Sequence, residues 1–384
     1  QIFIKIIMNK LNLSIEGYKC FKEETTFELN NITLLTGANS AGKSSVIQSL
    51  LLLKKISKGS ITESNPWIDL DLNDPNYALE LGKYDDIKSR SDNDYEDFLN
   101  DSHPTDISFV LNEGKAKIEL THNKDTENNV KVSSDVKSIE SFKKYLDKGF
   151  VYLNAERMAP HYMYKNTDNA DFCDCHGTNT GNVYQKHEND NCSIKRAYSN
   201  SDKNKWSIEL DKWIDFIFPG VAVQVVSSGE DHYQVKVLGN AATNVGFGIT
   251  YALPILVSGL TVPEGGMLLV ENPEAHLHAK AQSNMGYFLA RMAAAGVRVI
   301  IETHSEHVVN GIRRMIVEGK TEMSHEDMTI YFFQNKQGIK GIMEITMDEY
   351  GNLSDFPEDF FDQVRQDMFK LMEFGRKLVN GNEG

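Results

Sequence analysis

The segment Ile32-Thr33-Leu34-Leu35-Thr36-Gly37-Ala38-Asn39-Ser40-Ala41-Gly42-Lys43-Ser44-Ser45 opens as a β-branched apolar run and closes on an apolar helix, Val46 to Leu53. Buried strand, glycine loop and helix in that order give the context that the pattern G-x-x-x-x-G-K-[ST] needs to cradle phosphates. Amides at a helix N-terminus form a ready anion site. Gly37, Ala38, Asn39, Ser40, Ala41, Gly42, Lys43, Ser44 and Ser45 are therefore expected to wrap the β- and γ-phosphates of a nucleoside triphosphate. Lys43 is expected to neutralise phosphate charge and the Ser44 hydroxyl to ligate Mg2+. ATP with Mg2+ is the expected ligand pair.

Working outward, two more apolar runs end on chemistry. Gly266 to Val270 leads into Glu271-Asn272-Pro273-Glu274-Ala275-His276-Leu277-His278. Carboxylates at the tip of a buried strand can hold the magnesium shell and polarise an attacking water. Glu271 is the expected metal-side and catalytic carboxylate, with Glu274 as a second catalytic candidate. Val299-Ile300-Ile301-Glu302-Thr303-His304-Ser305 is a third such strand, and His304 is expected to bond the γ-phosphate or the water.

Strand and helix alternate from residue 244 onward, which means a largely parallel sheet between helices. The expected units are 8–55, the half carrying the phosphate loop; 56–150, an inserted lobe; 151–240, an accessory lobe with a poorly ordered stretch over 160–205; 241–350, the second half of the head; and 351–384, a tail. Asn112-Glu113-Gly114 reads as a hairpin turn, Ser138 to Leu146 as a helix, and Ser227-Ser228-Gly229-Glu230 as a turn between strands.

The 384 residues, 40% hydrophobic, suffice for a sizeable core, and the formal charge of −15 argues against a generally basic nucleic-acid binder. Direct nucleic-acid binding would need a local basic groove. Four cysteines, unevenly spaced, fit a reducing cytoplasm. Residues 1–7, ahead of Met8, read as a leader or cloning scar, and no run has the length of a membrane span.

Taken together, Leu13–Phe21 with Gly17-Tyr18-Lys19-Cys20-Phe21, Leu34–Leu53, Val270–His278 and Ile301–Ser305 resemble the ABC-type ATPases of the overcoming-lysogenisation-defect, RecF and SMC-like branch. Within it the chain is similar to the stand-alone prokaryotic AAA-family ATPases of anti-phage defence and DNA-repair loci. The likeness spans roughly residues 11–55 and 240–310, with Tyr152–Pro160 between. It implies an α/β P-loop NTPase with an ABC-type head: a central, mostly parallel sheet flanked by helices, an N-terminal antiparallel β-subdomain and an inserted α+β lobe. It also implies a head-to-head homodimer or higher assembly, in which Asn244, Gly246 and Gly248 at a helix start reach the partner subunit's nucleotide. An effector encoded nearby, a nuclease or toxin, would read the closure. The family usually has Asp-Glu where this chain has Glu271-Asn272. An asparagine cannot accept a proton as a carboxylate does. Slow hydrolysis and a scaffold with negligible hydrolysis stay open on that ground; a DNA-repair ATPase binding DNA directly is a third alternative, which the acidic charge disfavours.

Other signals read as structural. Cys173-Asp174-Cys175-His176 with His187 and Cys192 holds enough ligands for zinc, but its C-x-C spacing is unlike the usual pairing. Arg157 is either a nucleotide sensor or half of a Glu–Arg pair. Trp206 and Trp213 share a helix face and belong in a core. Residues 355–362 are a docking segment or a tail packed on its own domain.

Overall fold

Ile32, Leu34 and Leu35 are fully buried because their strand lies in the middle of a six-stranded sheet. In the computed structural model, which describes residues 10–62, 65, 67–89, 106–120, 129–157, 159–165, 170–198, 205–228, 232–244, 248–336, 339–357, 360–361 and 366–374, this sheet runs in a fixed order. That order is Phe150–Leu153, Met267–Glu271, Arg298–Glu302, Ile32–Gly37, Met328–Lys336, Ile339–Ile345. The first five strands pair in parallel, and only the edge strand Ile339–Ile345 is antiparallel.

Alternate residues of these strands feed two cores, one on each face. Leu34, Leu268, Val270, Val299 and Ile301 enter the core under helices Trp206–Ile217, Gly248–Thr261, Ala279–Ala294 and Glu306–Val317. Leu35, Met267, Leu269 and Ile300 enter the other, with helix Lys43–Ser57. Trp206 and Trp213 are core residues, as their spacing required.

The second core is closed by an antiparallel sheet in the order Thr25–Leu29, Leu11–Glu16, Ile107–Leu111, Gly114–Leu120, Asn129–Ser134, Trp67–Asp71. This sheet crosses the expected division at 55/56. The hairpin of Leu11–Glu16 and Thr25–Leu29 would alone leave an edge of unpaired amides, and Ile107–Leu111 pairs with that edge. The N-terminal subdomain and the supposed insertion are thus one sheet. The Asn112–Glu113 turn and the helix, Val136–Leu146, stand where expected.

Within 160–205 the described residues, 160–165, 170–198 and 205, hold more order than their polarity suggested. Helix Thr180–His187 lies there, and Tyr164–Lys165 pairs with His232–Val237 in a small sheet. Val223–Ser227 also pairs with His232–Val237, while residues 229–231 of the turn lie outside the described residues. In the tail, Leu353 and Phe360 are buried, and Phe360 packs edge-on against Phe332 at 5.2 Å. No helix among the described residues is long and apolar enough to cross a membrane.

The helices that leave the two motif strands, Ala279–Ala294 and Glu306–Val317, cross in close contact. A methyl at Gly311 would overlap the Ser283 carbonyl, and one at Gly286 the Val308 carbonyl. Overpacking of this kind costs roughly 1–3 kcal/mol. Gly311→Ala is expected to lose about that much in denaturant unfolding. Gly341→Ala, where an added methyl meets nothing within 4 Å, should stay within about 0.5 kcal/mol of wild type. Equal midpoints for both variants would show that the crossing is not tight.

Candidate active site

At the tip of the central strand the chain turns through Gly37 (φ 115), Ser40 (φ 58) and Gly42 (φ 122) before helix Lys43–Ser57. The Ala38 amide donates to Phe333 O at 2.9 Å, which ties the loop to the neighbouring strand. Gly42 caps the helix without a side-chain bond, so the first-turn amides have no such partner of their own. Lys43 lies only 3% exposed. Its ammonium donates to Gly37 O at 3.1 Å and Ala38 O at 2.8 Å, and sits 3.8 Å from Glu302. Burial lowers its pKa, against the pull of Glu302.

A cleft of about 670 Å³ opens over the loop, lined by Asn39, Ser40, Lys43, Ser44 and Glu302, with Lys19 on the antiparallel side. Ser44 Oγ is 3.4 and 3.5 Å from the two Glu302 oxygens. Burial pushes the Glu302 carboxyl up to about 7, and the neighbouring Glu271 adds to the rise. Glu302 is the residue that sequence reasoning missed. Its position just before Thr303-His304 at a strand end was visible, but which way its side chain faced was not.

Glu271 lies level with Glu302 on the adjacent strand. Its oxygens are occupied: Tyr152 OH donates to Oε1 at 3.0 Å and Ala155 N to Oε2 at 3.3 Å. Burial raises its pKa, partly offset by the Tyr152 bond. Glu274 accepts from Thr303 Oγ1 at 2.7 Å and from the His304 amide at 2.8 Å, so its carboxylate fastens the third motif to the second. His304 is exposed. Although its surface reaches solvent, partial desolvation of the ring, and then the charge of Lys43, lower its pKa, leaving it neutral near pH 7.

Arg157 spends its guanidinium on the backbone. Its guanidinium donates to four backbone carbonyls: Tyr251 at 3.1 Å, and Asn154, Glu271 and Asn272 at 2.7 Å each. Burial pushes its pKa down to about 10. It clamps the end of the second motif strand to the helix Gly248–Thr261.

Asn244 closes a short 3-10 turn, Gly248 opens that helix, and Gly246 lies outside the described residues. A methyl at Gly248 would come within 2.7 Å of His276 O, so packing within the chain already demands glycine there. His276 itself lies over the Tyr251 ring at 4.4 Å. Cys173 and Cys175 are buried in different cores, and no three His, Cys, Asp or Glu side chains gather as a metal cage among the described residues.

The raised carboxyl of Glu302 gives a pH signature. A carboxyl held at about 7 when folded stabilises fully below its ordinary 4.5, and that contribution is lost as pH rises through 7. Glu302→Gln removes the dependence. From pH 5 to pH 8 the variant should gain on wild type by up to roughly 3 kcal/mol in chemical unfolding. A constant difference across that window would contradict the burial argument.

Sequence profiles agree with this geometry. The family described as "AAA ATPase domain" matches residues 8–219, more than half of the chain. One described as "AAA domain, putative AbiEii toxin, Type IV TA system" matches 240–310, and one described as "Protein of unknown function (DUF3696)" matches 323–371. Among curated proteins none matches the chain. Among solved structures, the SMC head domain from Thermotoga maritima aligns at 11% identity over 88% of this chain and 98% of that one, with a TM-score of 0.41. The Smc head with an extended coiled coil from Pyrococcus furiosus, bound to the C-terminal domain of ScpA, aligns at 9% over 94% and 98%, with a TM-score of 0.45. The chain, with its phosphate loop on the middle strand of a parallel sheet, belongs to the AAA ATPase domain family.

Proposed function

We propose that this ATPase works as a nucleotide-operated switch, closing as a head-to-head homodimer on ATP so that a separate effector can read the closed state. The observation that carries the reading is the convergence of Lys43, Ser44, Glu302 and Glu271 at the aligned tips of three parallel strands, with His304 within reach of Lys43's charge. Lys43 would bind the β- and γ-phosphates, with the loop amides Gly37 to Ser45 around them. His304, neutral, would bond the γ-phosphate or the attacking water. Mg2+ suits the site because it prefers hydroxyl and carboxylate oxygens and keeps several waters and phosphate oxygens of its own. Ser44 and a carboxylate beside it would hold the ion, which would supply charge neutralisation on the triphosphate.

Dimer closure rests on the pairing of the second motif with the helix start at Gly248. The two are pressed together through His276, so a γ-phosphate reaching Asn244–Gly248 from a partner would bear on the motif loop as well. The family description that mentions a toxin–antitoxin system supports an effector in conflict or anti-phage defence. The four free cysteines support a reducing cytoplasm.

Asn272 favours a second reading, a scaffold that binds ATP without turning it over. Light scattering with Mg2+·ATP should show the mass doubling, and Lys43→Ala should abolish both the shift and ATP binding, by more than about 100-fold. Phosphate release above the Lys43→Ala background supports the enzyme. A doubled mass with no release leaves the scaffold, and a mass unchanged by ATP overturns the switch.

A further inference from the structure

We propose that a cavity at the foot of the helical layer is a second ligand site, which takes a mononucleotide with its base on an aromatic wall and its phosphate on arginines. The cavity, about 510 Å³, falls within the roughly 300–1,000 Å³ usual for small-ligand sites. Two of its cations, Arg291 and Arg314, stand in the last turns of helices Ala279–Ala294 and Glu306–Val317. Just beyond the first helix, Gly296 O accepts from the Gly265 amide at 2.7 Å, beside the start of strand Met267–Glu271. The site therefore lies at the end of the sheet opposite the tips that carry Glu271 and Glu302. It shares no residue with the cleft over the phosphate loop and stands apart from the ATP reading.

The wall is built of rings held in place. Trp213 is buried and donates to Arg196 O at 2.9 Å, and Tyr198 meets it edge-on at 5.1 Å. Phe216 and Tyr287, 5.4 Å apart, continue the surface. Tyr198 is 46% exposed, so its ring is the one on which a base would stack. Around the wall stand three cations, Arg291, Arg314 and Lys320, against one carboxylate, Glu318. Glu318 is already shared: Tyr287 OH donates to it at 2.9 Å and Lys320 at 2.8 Å, with Arg314 3.9 Å away. Arg314 donates to Asn284 Oδ1 at 3.0 Å and lies over the Tyr287 ring, which orients its fork.

Arg291 carries the argument. It is buried, and among the described residues its guanidinium donates to Lys320 O at 3.5 Å and Ala197 O at 3.4 Å. Both contacts are longer than the roughly 2.7–3.2 Å of a good N–H···O bond, and a guanidinium has more N–H groups than two acceptors take. The carbonyl end of a helix accounts for a cation in its last turn. It does not account for a buried one with long bonds in a cavity lined by aromatic rings. Phosphate oxygens match the arginine fork and would complete its bonding. A longer nucleic acid would have to continue over a chain of formal charge −15, so a single nucleotide fits better.

The test is calorimetry on the full chain carrying Lys43→Ala, which takes the phosphate loop out of the measurement, with AMP as the probe. AMP is expected to bind once per chain with a Kd below about 1 mM. Arg314→Gln should weaken it by about 10-fold, and Tyr198→Ala by roughly 5-fold or more. Both side chains reach solvent, so these variants should melt within about 2 °C of their parent. Arg291→Lys, which keeps the charge and loses the fork, should also cost about 10-fold; if it does not fold, the other two variants still decide. Adenosine and inorganic phosphate, each half of the ligand, should bind at least about 10-fold more weakly than AMP. Absence of AMP binding overturns the proposal, as does binding that ignores the Tyr198 and Arg314 changes. Inorganic phosphate bound as tightly as AMP would leave an anion site only, and oligo-dA bound far more tightly than AMP would make this a nucleic-acid surface. Either result overturns the mononucleotide assignment.

Discussion

A lysine ammonium and a carboxylate facing each other at 3.8 Å in a nearly dry corner of the molecule set the conditions for everything around them. In an effective dielectric near 20 such a pair attracts by about 4 kcal/mol. Burial nonetheless wins on both sides: Lys43 is pushed toward its neutral form, and Glu302 is held up to about 7. The carboxylate of Glu271 on the next strand adds repulsion that Lys43 does not cancel. A corner built this way is under-compensated and stable only because the surrounding structure holds it.

That surrounding structure is a set of backbone attachments more than a shell of charges. Ala38 is tied to Phe333 on one side of the loop. Glu274 joins the second motif to the amide of His304, and Arg157 gathers four carbonyls from three segments. Behind the motif strands, the close crossing at Gly286 and Gly311 locks the helices that follow them. These attachments join the strand tips to one another directly, through the close packing usual of protein interiors.

Much of this was legible in the sequence, and the reason is locality. Phosphate loop, motif strands and their helices are each written in one contiguous stretch, and strands buried on both faces read as unbroken apolar runs. What stayed hidden depended on distant partners. Leu13 pairs with Leu111, so the antiparallel sheet joins segments about a hundred residues apart that composition had separated. Residues 173–180 looked too polar for order, yet the Asp174 carboxylate accepts from the amides of His176, Thr178 and Asn179 and builds a tight corner. Glu302 is the sharpest case. Its contacts depend on which neighbour its strand lies beside, and only the sheet order places it against Lys43 and Ser44.

Asn272 can now be understood from its backbone. It adopts φ 44, a left-handed conformation that asparagine tolerates and glutamate disfavours. Its amide donates to Glu302 O at 2.8 Å, and its carbonyl accepts from Arg157 at 2.7 Å. The strand end thus bends back onto the residue whose side chain meets Ser44. The turn that places asparagine at 272 also joins the two strand ends through backbone atoms. Position 272 therefore carries an amide in a left-handed turn that a glutamate would adopt less readily.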